Sequence, residues 1–305
     1  MSRAPSLAEP VPPPPLADDN PGAELRAREA AENFPVALRV LPRSVRSGLR
    51  AVSAVVRTID DLGDAPGRPA ADRERDLEAF AADLASVWSG GSHTDAPRAA
   101  VLRRLVPVVE RCALPREPFE RLVRANLQDQ RVSRYPAFAD LLDYCSLSAA
   151  PIGELVLHLF GQADAASIAL SDQICAGLQI VEHLQDVAED RRNGRVYLPA
   201  ADLAAHGVRE EDLDAGTATP ALRALLAAET DRVATLLRAG TPLVGRLHGW
   251  ARLAVAGYLA GGWAAVDGLR RVDHDVLRGS PGVRRRDVAR RLGEILRTGA
   301  RGPRC

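Results

Sequence analysis

An all-α fold is predicted by three observations. Ala, Leu and Arg dominate the 305 residues, a helix-forming composition. Aromatic residues make up only 4% of the chain, so the β-branched and aromatic runs that mark strands are scarce. Apolar residues recur at helical spacing between short breakers, and no strand-and-hairpin pattern comes between them.

Taken in order, residues 1 to about 21 contain Val11-Pro12-Pro13-Pro14-Pro15 and a polar continuation without a periodic apolar face, the composition of a disordered segment. From Ala23 onward, helical periods alternate with breakers at Pro35, Pro42, Ala65-Pro66-Gly67, Ser89-Gly90-Gly91-Ser92, Pro115, Asn193-Gly194, Pro199, Gly240 to Pro242 and Gly279-Ser280-Pro281-Gly282. The longest uninterrupted stretches, 137–160, 164–192 and 242–275, are each expected to be one helix long enough to cross a domain. Hydrophobic content of 46% supplies one large core. No later break is long or polar enough for a linker, so the expectation is a single helical domain over 22–299 with a tail at 300–305.

Forty cations balance forty carboxylates, and every cation is Arg. The absence of lysine removes Schiff-base chemistry, a lysine base and a Walker-type phosphate lysine, because a permanently protonated guanidinium replaces none of them. A net charge of zero argues against nonspecific nucleic-acid binding. Cys112, Cys145, Cys175 and Cys305 are scattered, with no C-x-x-C pair, so neither a zinc site nor a disulfide scaffold is suggested. With no secretory segment at the N-terminus, a reducing cytoplasmic setting is expected. The most apolar stretch, Leu253 to Val266, is too short to span a bilayer, which leaves peripheral contact with the inner membrane face open.

Chemistry concentrates in two acidic stripes. In Arg57-Thr58-Ile59-Asp60-Asp61-Leu62-Gly63-Asp64, at the end of a helix with Val52, Val55, Val56 and Ile59 on its apolar side, the three carboxylates and the guanidinium share an arc of about 100°. Like charges at that spacing repel, and a divalent ion would turn the cost into a binding site. Oxygen-only ligands suit Mg²⁺. Glu182, Asp186 and Asp190 repeat the geometry every four residues, opposite Ile180, Leu184 and Val187, with Arg191, Arg192 and Arg195 following at a helix end whose dipole suits cations. Either stripe alone also reads as a solvated face, and His183, beside the second, as polar surface. Together, on antiparallel helices, they would form facing acidic walls around magnesium and a diphosphate.

The pairing of Arg57-x-x-Asp60-Asp61-x-x-Asp64 with Gln185-Asp186-x-x-x-Asp190 and Gly194-Arg195-Val196-Tyr197-Leu198-Pro199 resembles the squalene/phytoene synthase family. Glu32-Asn33-Phe34-Pro35-Val36-Ala37, the stretch Tyr135 to Cys145, Val156-Leu157-His158-Leu159-Phe160-Gly161 and Ser171-Asp172-Gln173-Ile174-Cys175 are similar to its hydroxysqualene synthase branch in bacterial hopanoid pathways. The resemblance runs from about residue 30 to 285. It implies a single-domain isoprenoid-synthase helical bundle with a central cavity, working beside other hopanoid-pathway enzymes. Asp60, Asp61, Asp64, Asp186 and Asp190 would be the catalytic metal ligands for Mg²⁺. Arg57 and Arg195 would contact the diphosphate, with Asn33, Glu182 and Tyr197 also lining the substrate site.

Two departures from the family pattern stand out. Glu182 occupies a position where many members carry Asn, and Leu147-Ser148-Ala149-Ala150-Pro151 lacks the tyrosine that squalene and phytoene synthases place before V-A-G. That tyrosine is associated with building the cyclopropyl intermediate. Its absence favours an enzyme that receives presqualene diphosphate and, with water, releases hydroxysqualene and diphosphate. The alternatives are a head-to-head synthase making presqualene diphosphate, squalene or phytoene, and a non-enzymatic helical module. A metal phosphohydrolase built on His274-Asp275 lacks a second histidine cluster.

Overall fold

The computed structural model describes residues 41–90 and 98–299. The chain divides after Pro35, and every described residue belongs to the second unit, Val36–Cys305. The expected boundary near residue 21 and the tail at 300–305 therefore lie outside the described residues.

The described chain is helical throughout: α1 (Arg43–Gly63), α2 (Ala70–Ser89), α3 (Ala99–Cys112), α4 (Glu117–Gln128), α5 (Phe138–Ser148), α6 (Ala150–Leu159), α7 (Ala165–Gln185), α8 (Val187–Arg192), α9 (Ala200–Ala205), α10 (Pro220–Gly240), α11 (Leu243–Arg246), α12 (Gly249–Arg271) and α13 (Arg285–Gly299). Short 3-10 turns occupy Glu210–Asp214 and Val276–Arg278. Among the described residues, extended pairing is limited to one isolated parallel bridge, Arg134 with Val196. None of the described helices is long and apolar enough to cross a membrane.

Each of the three long stretches is broken where one helix was expected. The first breaks at Ala149, where α5 ends and Pro151, which has no N–H to give, opens the first turn of α6. Residues 164–192 divide at Asp186 into α7 and α8. Residues 242–275 divide at Leu247-His248, ahead of Gly249 with φ +55°, a backbone conformation that favours glycine.

Two apolar clusters hold the bundle. One gathers α1 to α4 around Val55, Ile59, Leu77, Leu102 and Phe119. The other gathers α5, α7, α10 and α12 around Ile180, Leu225, Val233 and Leu259. Helix α6 serves both, giving Leu155 and Leu159 to the first and Leu157 to the second, and Phe160 packs against both. Burying each such side chain stabilises by roughly 1.5–3 kcal/mol. The two acidic stripes end on opposite sides of this division, since Ile59 and Leu62 anchor one to the first cluster while Leu184 and Val187 anchor the other to the second.

Candidate active site

The apolar side of α1, with Val52, Val55, Ile59 and Leu62 buried, leaves Asp60 and Asp61 pointing away from the core near the helix end. Asp64 closes that end, its backbone N–H donating to the Asp60 carbonyl at 2.8 Å. Helix α4 fixes the group from the side. Asn126 Nδ2 donates to Asp60 Oδ1 at 3.1 Å, and Gln130 Nε2 donates to the Gly63 carbonyl at 3.1 Å while its Oε1 accepts from Arg73 Nε at 2.7 Å. The approach depends on Gly63, because a β-carbon there would overlap the Asn126 amide oxygen.

The second stripe has a different local structure. Asp186 sits in the break between α7 and α8, with φ −106° and ψ 16°, yet its N–H still reaches the Glu182 carbonyl at 3.0 Å. Its own carbonyl accepts from both Glu189 and Asp190, at 2.9 and 2.8 Å, so the chain bends without orphaning a backbone group. Buried Gln185 donates to the Pro281 carbonyl at 2.7 Å, and the Ser280 hydroxyl bonds the Asp186 carboxylate. His183 is not surface. Its side chain is 12% exposed, its ring lies 3.6 Å from the Tyr197 ring centroid at 12°, and its Nδ1 is 3.7 Å from Asp190 Oδ2. An aromatic partner in a distant loop buried it, which helical periodicity does not register.

The loop 193–199 joins the two stripes. Gly194, with φ +80°, turns the chain, and Val196 N–H then donates to the Ser133 carbonyl at 3.0 Å. That pairing delivers Arg195 and Tyr197 inward. Arg195 Nη2 lies 3.4 Å from Asp64 Oδ1, while its backbone N–H donates to the Asp190 carbonyl at 2.8 Å, so one residue spans both stripes. Tyr197 stacks between His183 and Tyr135, and Tyr144 donates its hydroxyl to Asp129 Oδ2 at 2.9 Å. Arg191 and Arg192 do not join the site. Arg191 pairs with Asp214 and Glu210 at 2.9 and 2.7 Å, and Arg192 returns to the Ala188 carbonyl. Arg134 holds the loop from outside through Glu210 at 2.7 Å and the Gly194 carbonyl at 2.6 Å.

Crowding leaves its mark on the charges. Part of Asp60 reaches solvent, but the surrounding chain displaces most of its hydration. That desolvation, opposed by Asn126 and reinforced by Asp64 and Asp61, pushes its carboxyl up to about 6. Asp129 rises to about 6 through burial as well, against the Tyr144 hydrogen bond and Arg195. Burial also raises Asp186, countered by Ser280 and assisted by Asp190 and Glu189. Burial opposes the Arg195 charge, but Tyr197, Asp129 and Asp64 outweigh it and hold the guanidinium above its ordinary value.

The donor set suits magnesium. It consists of oxygens, and Asp129 Oδ1 and Asp190 Oδ2 are buried without a hydrogen-bond partner. Among the described residues no three His, Cys, Asp or Glu converge into a complete metal nest. A magnesium ion held by one or two carboxylates takes its remaining ligands from water and phosphate oxygens. A small cleft beside it is lined by His183, Val187, Asp190, Arg195, Val196, Tyr197, Leu198 and Leu213.

Residues 27–290 match the squalene/phytoene synthase family model. The chain belongs to the squalene/phytoene synthase family. Relatives within it include the hydroxysqualene synthase of Rhodopseudomonas palustris, 36% identical over 71% of each chain, and the phytoene synthase of Mycobacterium tuberculosis, 32% identical over 84% of this chain and 80% of that one. The crystal structure of the squalene synthase HpnC from Alicyclobacillus acidocaldarius is 36% identical over 83% of this chain and 93% of that one, with a TM-score of 0.73. The isoprenoid-synthase helical fold expected from the sequence is thereby borne out, and the protein is an enzyme-family member of the prenyltransferase type.

Of the residues expected from the sequence, Asp64 and Asp190 meet at Arg195, and Tyr197 stacks on His183 beside them. Arg57 sits near enough to lower the Asp60 carboxyl, and Asp61 near enough to raise it. Glu182 is half-buried one turn before Asp186. Asn33 lies outside the described residues. Sequence reading missed Asn126, Asp129, Gln130 and Tyr144, whose only signal is a polar cluster, Asn126-Leu127-Gln128-Asp129-Gln130, closing an amphipathic helix. His274-Asp275 is structural: Asp275 is buried, accepting from Ala218 N–H at 2.8 Å and Arg223 at 2.7 Å.

Proposed function

We propose that this synthase converts presqualene diphosphate and water to hydroxysqualene and diphosphate. The observation that carries the reading is the junction of α5 and α6, where Leu147-Ser148-Ala149-Ala150-Pro151 offers no phenol. Leu147 packs against the apolar cluster and Ser148 donates its hydroxyl to the Tyr144 carbonyl at 3.1 Å. The similarity to a hydroxysqualene synthase at 36% identity supports it further.

Magnesium, when bound, would neutralise charge on the departing diphosphate. Asp60, Asp61 and Asp64 on one side, and Asp186 and Asp190 on the other, would hold it. Arg57 and Arg195 bind the diphosphate directly, the second oriented by Tyr197, and so stabilise the leaving group as the carbon–oxygen bond breaks. Val187, Val196, Leu198 and Leu213 keep that side of the cleft apolar, limiting water to the molecule that captures the rearranged cation. Its oxygen forms the new carbon–oxygen bond and its proton is lost, so no reductant enters.

The Mycobacterium tuberculosis phytoene synthase matches 84% of the chain against 71% for the Rhodopseudomonas palustris hydroxysqualene synthase, which favours a head-to-head synthase as the second reading. Incubation with presqualene diphosphate and Mg²⁺, with and without NADPH, separates them. Hydroxysqualene in both reactions is expected. Squalene formed only with NADPH, or turnover of farnesyl diphosphate alone, overturns the assignment.

A further inference from the structure

Charge is distributed unevenly along a chain that balances to zero. Residues 278–305 contain nine arginines against Asp287 and Glu294. Arg284, just ahead of α13, and Arg285, Arg286, Arg290 and Arg297 within it are exposed, while Val288, Leu292, Ile295 and Leu296 pack inward on the apolar cluster. The acids do not restore balance on the outer face. Asp287 is 17% exposed, bonded to Arg271 and no closer than 4.0 Å to Arg286, and Glu294 is paired with Arg290 and Arg291. Asp267 takes up part of the charge of Arg290 and Arg291, which leaves Arg284, Arg285, Arg286 and Arg297 as the outermost cations. Between them lie Ala289 and Gly293, too small to hold a flat surface away.

An exposed aromatic residue lies near the C-terminal end of α13. Among the described residues Trp250 is the large hydrophobic side chain left exposed, at 40%. Arg252, two residues on, donates to the Leu296 carbonyl at 3.1 Å, which brings the start of α12 to the end of α13 beside Arg297. A helix of 15 residues extends about 22 Å, so arginines stand at both ends of a strip with a tryptophan at one end. Clustered arginines attract anionic headgroups, and tryptophan settles at the boundary between headgroups and hydrocarbon.

We propose that the outer face of α13, together with Trp250, is a docking surface for an anionic lipid bilayer. This surface lies outside the catalytic residues and does not depend on which diphosphate the enzyme consumes. The test is flotation of the full chain with vesicles of phosphatidylcholine alone and of phosphatidylcholine mixed with phosphatidylglycerol. Binding to the mixed vesicles only is expected, released at about 1 M salt where charges are screened within about 3 Å. The variant carrying Arg284→Gln, Arg285→Gln and Arg286→Gln should partition about a hundredfold less, and Trp250→Ala should also lower it. Helical circular dichroism and turnover of detergent-dispersed substrate should stay as in the parent. Equal binding to neutral vesicles, or undiminished binding of the triple variant, overturns the proposal. So does a chain that ignores anionic vesicles and binds single-stranded RNA through the same arginines.

Discussion

The two acidic stripes read alike in sequence and are built differently. At the end of α1, Asp60 and Asp64 sit on a finished helix clamped from outside by Asn126 and Gln130. At Asp186 the helix itself bends, and the carboxylates are positioned by Ser280, the buried Gln185 and the ring of His183 one turn away. Their cations differ too. Arg57 belongs to the same helix as its carboxylates, whereas Arg191, on the second stripe's helix, pairs with Glu210 and Asp214 instead. Arg195 crosses to Asp64. A D-x-x-x-D spacing therefore specifies where carboxylates project on a helix. What holds them is specified by other parts of the chain.

Six substitutions and a change of pH sharpen that contrast, from strongest to weakest. Asp60→Asn and Asp186→Asn should each lower diphosphate release at least about a thousandfold with helical circular dichroism unchanged, the scale of removing a preorganised charge contact. If only one does so, the stripes are not two halves of one cage. Arg195→Ala should weaken diphosphate binding by about 1.5–3 kcal/mol in a calorimetric titration, as for hydrogen bonds to charged groups, and Arg57→Ala likewise.

The pH response follows from Asp60 and Asp129, both raised from 3.8 to about 6. The ionised form of Asp60, the magnesium ligand of the two, falls about tenfold between pH 7 and pH 5, so turnover should fall about tenfold over that range. The stability effect runs the other way. An acid whose folded value is raised binds its proton more tightly in the fold, so these two groups lower stability as pH rises through the interval from 3.8 to about 6. Asp60→Asn should flatten the metal-free unfolding temperature across that interval.

Gly63→Ala should cost about 1–3 kcal/mol in chemical denaturation, since the added carbon must displace Asn126 from Asp60. Smallest is Arg191→Ala, expected to leave diphosphate affinity unchanged and to shift the unfolding midpoint barely, because its partners are surface carboxylates. A large loss of affinity there would make the second stripe resemble the first after all.

Much of the site was legible for a simple reason. Carboxylates repeated at helical spacing create a repulsion visible without any partner, so Asp60, Asp64, Asp186 and Asp190 stood out. Asn126, Asp129 and Tyr144 carried no such signal. Asp129 matters because burial strips its water and Tyr144 donates to it, and both follow from packing between residues that no local pattern connects. His183 was misread on the same account, since a polar ring on a helix reads as surface until Tyr197 covers it. Basic residues gathered near the C-terminal end of the chain were countable in the sequence. Whether they stood outward or paired with acids was not.

By itself the sequence determined an all-helical fold, because Ala, Leu and Arg at helical spacing favour helix regardless of distant partners. It also determined which carboxylates crowd together, because 3.6 residues per turn fixes their spacing on any helix. Only the tertiary structure decided where the long stretches break, which arginine reaches the site and which carboxyls are driven up to about 6. Those outcomes depend on desolvation and on contacts across the seam between two apolar clusters, made by residues as far apart as Asp64 and Arg195.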